Sequence, residues 1–482
     1  MNTQKNHRFF FHLICLTLAL TMTVGSAQAS PIHQTNTDFT AIDAYVREQM
    51  DALGIPGVAL GIIQDGQATH LQGFGAADAS GRPVTPQTPF YIGSITKSFT
   101  SLAVMQLVEE GKIDLDAPVQ TYLPWFRLAD AEASSQITVR HLLTQTTGMS
   151  EKDGNRIWAT QQGMEEAVRN LTDVELTYPV GTTYQYCNFN FIIAGLIVEK
   201  VSGLTYEEYV IEHIFQPLDM QHSYASVQLA QSDDLSDGHY NMFGKTFTDN
   251  REMPPVSLAT GQLIISVEDL SHFAIAHMND GQYGDATILS PQGIEEMFTP
   301  AVEKWENAYW GMGWDVGTLE DWQIASKVGD TGTFHAAMLL VPEINLSVIL
   351  LANASGFSQM QSYAVDQIAI GVLNILNGLP ASPASIPFIM NFLYWLILLT
   401  PVLQIAGAVV VWVKHQQIKL WGAGLIIILN IVVVFAILFS AQMHMPLASL
   451  AVFNPEVGYA AIGCAVIGIG WSVVYTVISL RM

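Results

Sequence analysis

The stretch Tyr91-Ile92-Gly93-Ser94-Ile95-Thr96-Lys97 contains a Ser-x-x-Lys pattern at the start of a predicted helix. Residues three apart share a helix face, so Lys97 can reach the hydroxyl of Ser94 if both lie in the first turn. Free amides at a helix N-terminus add positive potential where an oxyanion would form. A lysine kept neutral by burial and a neighbouring cation can activate a serine. Alone, the pattern is also typical of a helix cap with an exposed lysine, but it occurs once here.

A second motif, Tyr186-Cys187-Asn188, is a Tyr-x-Asn pattern that also occurs once in the chain. In a short extended or turn segment, Tyr186 and Asn188 would point the same way. The phenol could then relay a proton, and the amide could hold Lys97 or a substrate amide. A lone Tyr-x-Asn is more often ordinary loop structure, so this motif carries weight only together with the others.

A third motif, Lys327-Val328-Gly329, ends a strand-like segment and precedes Asp330-Thr331. A lysine there could set the local field, lower the pKa of the Tyr186 phenol and bind a substrate carboxylate. A glycine lets a substrate backbone lie close to the strand. The Lys-x-Gly pattern recurs at Lys152-Asp153-Gly154, but that copy precedes Tyr186 and lies in an acidic, loop-like stretch.

The N-terminal residues 1–29 are predicted to be a signal peptide. Lys5 and Arg8 precede an apolar segment, Phe9–Val24, and Ala27-Gln28-Ala29 is a small-x-small cleavage site. An uncleaved anchor helix is the alternative. Either interpretation predicts that the chain is exported or held at a membrane.

The C-terminal residues 387–482 are predicted to form a membrane domain. Residues 387–413, 420–441 and 458–480 are each long enough to cross about 30 Å of hydrocarbon. Lys414, Lys419 and Arg481 favour the cytoplasmic side. This topology predicts a multi-pass protein in the cell membrane, with a cytoplasmic C-terminus and an extracytoplasmic domain before the first span.

The composition excludes several classes of protein. The formal net charge is −24, and most acidic residues lie in the predicted exported domain, residues 30–379. Phosphate contacts need clustered Lys and Arg, so nucleic acid is not an expected partner. Three cysteines do not make a disulfide scaffold. The chain contains neither a His-Glu-x-x-His motif nor a phosphate loop, and we expect no cofactor and no metal site.

The exported domain combines strands from both of its ends with a helical middle. Strands are predicted at 58–64 and 68–73, joined by an Asp65-Gly66 turn, and again at 322–327, 334–341 and 346–351. Helices are predicted at 98–111, 189–201 and 206–214. One antiparallel sheet must therefore join strands distant in sequence, which predicts an α/β (α+β) domain. Residues 380–386 are predicted to be the linker to the membrane domain.

The three motifs in this order resemble the serine β-lactamase and penicillin-binding-protein-like hydrolases, in the branch of class C β-lactamases, D-peptidases and related esterases. Surrounding segments are similar too: Leu107–Leu115, Ile137–Gly148, Pro179–Asn188, Gly195–Gly203, Gln216–Met220 and Trp310–Trp314. The resemblance covers nearly all of 30–379 and implies a β-lactamase-like fold. Gln145 departs from the family's usual histidine, at a position that is usually scaffold.

The resemblance implies a role for each motif residue. Ser94 would be the acylated nucleophile, while Lys97 and Tyr186 would share general acid–base duty. The substrate-binding residues would be Asn188, which orients Lys97 or substrate, Lys327, which supplies the field, Gly329, and Asp330, whose amide would complete an oxyanion hole with that of Ser94. A second alignment would take Asp330-Thr331-Gly332 as an altered His-Thr-Gly motif; the distance to the following strand favours Lys327-Val328-Gly329.

The C-terminal spans resemble those of prodrug-activating D-peptidases, such as the colibactin-maturing peptidase. The resemblance implies amide cleavage beside a D-residue. The substrate would be a peptide or an acyl-peptide, with or without a lipid tail, and the lipid bilayer would be a partner. A cell-wall D-peptidase fits equally well. A β-lactamase, an esterase, or a non-catalytic sensor that binds penicillin or peptide is the alternative.

Overall fold

The computed structural model describes residues 39–242, 245–319, 322–356, 360–384, 388–414, 446–453 and 455–480. The predicted signal peptide (1–29) and the second predicted span (420–441) lie outside these ranges. In chain order the strands are β1 (Gly57–Gln64), β2 (Gln67–Gly75), β3 (Phe90–Tyr91), β4 (Ser223–Tyr224), β5 (His239–Met242), β6 (Lys245–Thr248), β7 (Ile264–Ile265), β8 (Gln282–Tyr283), β9 (Ala286–Thr287), β10 (Val302–Trp305), β11 (Ala308–Trp310), β12 (Asp315–Leu319), β13 (Trp322–Asp330), β14 (His335–Val341), β15 (Leu346–Ala352) and β16 (Ala354–Ser355).

Most of the described α-helices lie, in sequence, between the strand pair β1–β2 and the strands β10–β15. In chain order they are α1 (Thr40–Leu53), α2 (Thr96–Glu109), α3 (Val119–Tyr122), α4 (Ala131–Gln136), α5 (Val139–Leu143), α6 (Glu151–Gly154), α7 (Met164–Arg169), α8 (Asn188–Ser202), α9 (Tyr206–Val210), α10 (Val227–Ser232), α11 (Leu258–Gly261), α12 (Val267–Met278), α13 (Pro291–Phe298), α14 (Met360–Leu376), α15 (Phe388–Lys414), α16 (Leu447–Phe453) and α17 (Pro455–Leu480).

The central sheet has eight antiparallel strands in the order β10-β11-β12-β13-β14-β15-β1-β2. Strand β1 pairs with β15, which places Val58 opposite Ala352. The predicted union of sequence-distant strands with a helical middle is thus confirmed. Asp65 and Gly66 both have positive φ, 51° and 74°, which is the conformation of a two-residue hairpin turn between β1 and β2.

The sheet is buried on both faces, and β1 shows how the sequence achieves this. Ala59 and Ile63 belong to the larger apolar core, which joins the sheet to the helical middle. Val58, Leu60 and Ile62 belong to a second core beneath α1 and α14. Because side chains alternate along a strand, a continuous apolar run can supply both cores at once.

The C-terminal helices give only part of the predicted membrane domain. Within the described ranges, one helical segment, Pro455–Val473 of α17, is long and apolar enough to cross a membrane. The first predicted span corresponds to α15, which contains Pro401 and packs against α17. The presence of three membrane-spanning helices therefore remains a prediction. Residues 380–384 of the predicted linker lie against α1, where the Ala384 amide donates to Gln49 Oε1 over 2.8 Å.

A buried ion pair attaches α14 to the sheet. His335 Nε2 lies 2.7 Å from Asp366 Oδ1, and His335 Nδ1 lies 3.4 Å from Asp330 Oδ2. Burial disfavours the imidazolium, but the Asp366 and Asp330 carboxylates outweigh burial and raise the pKa of His335 to about 10. The charged histidine thus joins α14 to the end of β13.

The His335 pairs should make stability depend on pH. Because the folded-state pKa exceeds the unfolded value of about 6.5, their contribution is complete below about pH 6.5 and is lost as the pH rises through 10. We expect Asp366→Asn to lower the free energy of unfolding by about 3 kcal/mol at low pH and by much less near pH 10. Denaturant unfolding followed by tryptophan fluorescence measures this, with Asp51→Asn on exposed α1 as the control. An equal loss at both pH values would contradict the prediction.

Candidate active site

Ser94 lies in a single 3₁₀ turn, Gly93–Ile95, immediately before α2. The expectation that Ser94 and Lys97 share the first α-helical turn is therefore wrong in detail, because the α-helix begins at Thr96. Gly93 has a φ of +52° and turns the chain so that the serine precedes the helix. Lys97 still faces Ser94, since the 3₁₀ turn leads directly into the helix.

The Ser94 turn contacts β13 backbone to backbone. A Cβ atom added to Gly329 would lie 1.9 Å from the Ile92 carbonyl oxygen and 2.6 Å from the Ser94 amide nitrogen. A Cβ atom added to Gly93 would lie 2.5 Å from the Asp330 amide nitrogen. Only glycine fits either position. The two glycines therefore let the backbone amides of Ser94 and Asp330 lie close together.

The hydroxyl of Ser94 contacts both predicted proton-transfer groups. Ser94 Oγ lies 2.7 Å from Tyr186 Oη and 2.9 Å from Lys97 Nζ. The structure thus brings together the three residues predicted to be catalytic. Tyr186 reaches the serine from the extended segment just before α8, and Lys97 reaches it from α2.

The amine of Lys97 is completely buried and has three acceptors around it. Besides Ser94 Oγ, Lys97 Nζ lies 2.9 Å from Asn188 Oδ1 and 2.7 Å from the Thr260 carbonyl oxygen. A neutral amine has two N–H groups and one lone pair. It can therefore donate to Asn188 and Thr260 and still accept the proton of Ser94. Burial, and then the Lys327 charge, hold the pKa of Lys97 well below its usual value.

Asn188 is fixed in place as a partner of Lys97. It is the first residue of α8, and its Oδ1 also accepts from Thr260 Oγ1 over 3.2 Å. Its Nδ2 lies 3.4 Å from both the Gly154 carbonyl oxygen and Asn155 Oδ1. These contacts orient the amide oxygen toward Lys97, the first of the two possibilities predicted for Asn188.

Tyr186 is held as a neutral phenol. Burial, reinforced by the Asp315 carboxylate, raises the pKa of Tyr186. The expectation that Lys327 lowers this pKa is therefore wrong, because Lys327 lies 5.9 Å from the ring centroid and is paired with Asp315. The Tyr186 ring meets Trp310 edge to face, with centroids 6.0 Å apart. A neutral phenol can donate a proton but is a poor base at neutral pH.

Lys327 and Asp330 occupy different parts of the site. Lys327 Nζ lies 3.3 Å from Asp315 Oδ2 and 4.5 Å from the centroid of Trp310. The Asp330 carboxylate instead accepts from Ser355 Oγ over 2.7 Å and from the Gly332 amide over 2.6 Å. The part of Asp330 at the Ser94 turn is its backbone amide. The Lys327-Val328-Gly329 alignment is thus the one that places the third motif beside the serine.

Sequence reasoning missed several groups around the site. Thr260 contributes a carbonyl oxygen, which has no side-chain signature. Asp315 directly follows the Trp310–Trp314 segment, and that position was the available signal. Gln145 is scaffold, as expected: its Oε1 accepts from the Cys187 amide over 2.9 Å and so fixes the segment that carries Tyr186. Cys187 itself is fully buried, and burial raises the pKa of its thiol to about 12.

A cavity of about 340 Å³ lies beside the end of β13. Its lining includes Tyr91, Trp158, Met253, Thr331 and, from α16, Val452. Arg251 joins α16 to this part of the domain, because its guanidinium donates a hydrogen bond to the Val452 carbonyl oxygen over 2.5 Å. A C-terminal helix therefore borders a cavity of the domain that carries Ser94.

The arrangement of Ser94, Lys97 and Tyr186 is the one expected of a serine-hydrolase site of the Ser-x-x-Lys type. A family model described as Beta-lactamase matches residues 42–372, and the chain belongs to this family of serine hydrolases and acyltransferases. Penicillin-binding protein 4 of Amycolatopsis lactamdurans is 29% identical over 332 residues, covering 64% of this chain and 85% of that protein. Protein flp of Staphylococcus aureus (strain MW2) is 26% identical over 323 residues, covering 66% of this chain and 64% of that protein.

The fold is similar to that of the octameric penicillin-binding protein homologue from Pyrococcus abyssi. The TM-score is 0.65 and the sequence identity 30%, and the match covers 76% of this chain and 82% of that one. The chain spans less than two thirds of the length of protein flp. The matched family region ends before α15, so the C-terminal helices lie outside it.

The contact between Gly329 and the Ser94 turn predicts a sharp substitution effect. Gly329→Ala adds a Cβ that Ile92 and Ser94 leave no room for, so the amides should separate. We expect the rate of Ser94 labelling by a fluorophosphonate to fall by about 100-fold or more, the scale of losing one oxyanion donor. Gly163→Ala is the control, because a Cβ there meets nothing within 4 Å. Similar labelling rates in the two variants would contradict this account.

Proposed function

We propose that the chain is a membrane-anchored, extracytoplasmic serine hydrolase that cleaves amide bonds through an acyl-enzyme on Ser94. The observation that carries the proposal is the environment of Lys97, a buried amine whose three contacts suit a neutral base beside the serine. Membership of the β-lactamase family supports acyl-enzyme chemistry on amides or esters.

The contacts suggest an order of proton transfers. Lys97 takes the proton of Ser94 as Oγ attacks the substrate carbonyl carbon and forms the C–O bond. The amides of Ser94 and Asp330 stabilise the oxyanion. Tyr186 then donates its proton to the leaving nitrogen as the C–N bond breaks, and the protonated Lys97, whose amine lies 5.0 Å from the centroid of the Tyr186 ring, returns a proton to the phenolate. Water later attacks the ester, with the same groups acting in reverse.

A substrate with a D-residue and an anionic group is the specific proposal. A charged Lys327 at the wall of the site suits a substrate carboxylate. Both a prodrug leader and a cell-wall peptide carry such features, and a lipid-tailed acyl-peptide would reach a site held at a bilayer. The name of Penicillin-binding protein 4 supports a second candidate, a protein that binds β-lactams or peptides covalently without turnover.

Covalent labelling tests the nucleophile directly. We expect a fluorophosphonate probe to label the detergent-solubilised wild type and to leave Ser94→Ala unlabelled. Ser98→Ala is the matched control, because Ser98 lies one turn along α2 and donates to the Gly313 carbonyl instead. A folded wild type that resists labelling would contradict the enzyme proposal and covalent binding through Ser94 alike.

Turnover then separates the enzyme from the binder. We expect acyl-D-amino-acid amides and D-dipeptides to give product continuously with the wild type, and none with Ser94→Ala. Mass spectrometry of the intact protein would detect an acyl adduct on Ser94. An adduct that persists without product release would instead support covalent binding without turnover.

The anchoring proposal rests on the apolar surface of α15 and α17. Exposed apolar side chains include Val402 and Leu403 on α15, and Tyr459 and Val466 on α17. We expect the full chain to stay with the membrane pellet after alkaline carbonate extraction, and a chain ending at residue 384 to be released. Release of both forms would contradict the anchor.

A further inference from the structure

Two lysines share one carboxylate beside the Ser94 site. Asp315, the first residue of β12, contacts Lys327 of β13 through Oδ2 over 3.3 Å and Lys304 of β10 through Oδ1. The Lys327 side chain is 3% exposed, the Lys304 side chain 10% and the Asp315 side chain 23%. The cluster has two positive charges and one negative charge within a few ångströms.

Trp310 fixes this cluster against the catalytic tyrosine. Lys327 Nζ lies 4.5 Å and Lys304 Nζ 5.4 Å from its ring centroid. Its indole nitrogen donates to the Leu143 carbonyl oxygen over 2.9 Å, which sets the plane of the ring. The same ring packs on Tyr186. A movement of either lysine against Trp310 would therefore also displace the Tyr186 phenol.

We infer that Asp315 is a positioning residue that holds Lys327 in place as a cation while Lys97, nearby, acts as a neutral base, and that Lys304 acts on Lys327 through Asp315, which it keeps ionised. This inference rests on the proposed function. A buried lysine beside a second amine would otherwise lose its proton, and a lone buried carboxylate would gain one. With Lys304 on one oxygen and Lys327 on the other, Asp315 stays ionised and so does Lys327.

The direction of each pKa agrees with this arrangement. Burial lowers the pKa of Lys327 and the Lys304 charge adds to this, while the Asp315 carboxylate opposes both. Burial alone would raise the pKa of Asp315, but the two lysines outweigh burial and hold it below its usual value. The Lys327 charge in turn helps to lower the pKa of Lys97.

The other titratable groups that face the cluster do not replace Asp315. Tyr184 and Tyr186 both interact with Asp315, and burial raises the pKa of each phenol, so both are neutral at ordinary pH. Glu151 acts on the two tyrosines. Asp366 adds only a weak attraction to Lys327, smaller than that of Asp315.

The test is the pH profile of labelling by a neutral fluorophosphonate, measured on the full chain in detergent. Loss of the Lys97 proton should set the acid limb, and loss of the Lys327 proton the alkaline limb. In Asp315→Asn the lysines repel each other without compensation, and the potential at Lys97 becomes more positive. Both limbs should therefore move to lower pH, by about one pH unit or more.

Lys304→Met should have the opposite effect. Asp315 then acts on Lys327 alone and one repelling charge is gone, so both limbs should move to higher pH. Lys304→Arg keeps the charge and should restore the wild-type profile. Lys112→Met is the charge-matched control, since Lys112 pairs with Glu110 on the surface, and it should leave the profile unchanged.

Opposite shifts in the two variants support the inference. A profile of Asp315→Asn that coincides with the wild type overturns it, even if the labelling rate falls, because a merely structural loss lowers the rate without moving the limbs. If Asp315→Asn does not fold by circular dichroism, an unshifted Lys304→Met profile overturns the inference. A wild type that is never labelled overturns the proposed function itself, and this inference with it.

Discussion

A buried amine governs the geometry of the Ser94 site. An uncompensated charge in the interior costs several kcal/mol, so Lys97 must either have strong partners or lose its proton. The structure provides an amide oxygen from the start of α8, a carbonyl oxygen from α11 and the serine hydroxyl. These three elements are far apart in sequence. Because all three contact Lys97 Nζ, they hold the helical middle of the domain against the turn before α2.

The sequence alone predicted much of this arrangement because its strongest signals are local. Apolar runs indicated β1 and β15, the Asp65-Gly66 pair indicated the hairpin, and three short motifs indicated the side chains that meet at Ser94. The 3₁₀ turn at Ser94 escaped prediction, because Ser-x-x-Lys spacing suits a helix equally well. No sequence pattern marks Gly93 and Gly329, which let this turn lie against β13. Their role depends on contact between backbone segments that are distant in sequence.

The charges around the site could not be predicted from sequence for a related reason. Asp315 and Lys304 are eleven positions apart, and they meet only because β10 and β12 flank β11 in the sheet. Nor could the sequence show that burial is the largest influence on the pKa of Tyr186 and raises it. Burial is a property of the whole core, and here it raises the pKa of the Tyr186 phenol and lowers the pKa of the Lys97 amine.

The reactivity of the Cys187 thiol can report local opening of the segment that carries Tyr186 and Asn188. Cys187 lies between Tyr186 and Asn188 in sequence and is fully buried, and burial raises the pKa of its thiol to about 12, so hardly any thiolate exists in the folded state. Thiol reagents can modify it only when this segment separates from Gln145 and the core. The rate of its modification would therefore follow the local opening equilibrium of the active site, without a label or a substitution.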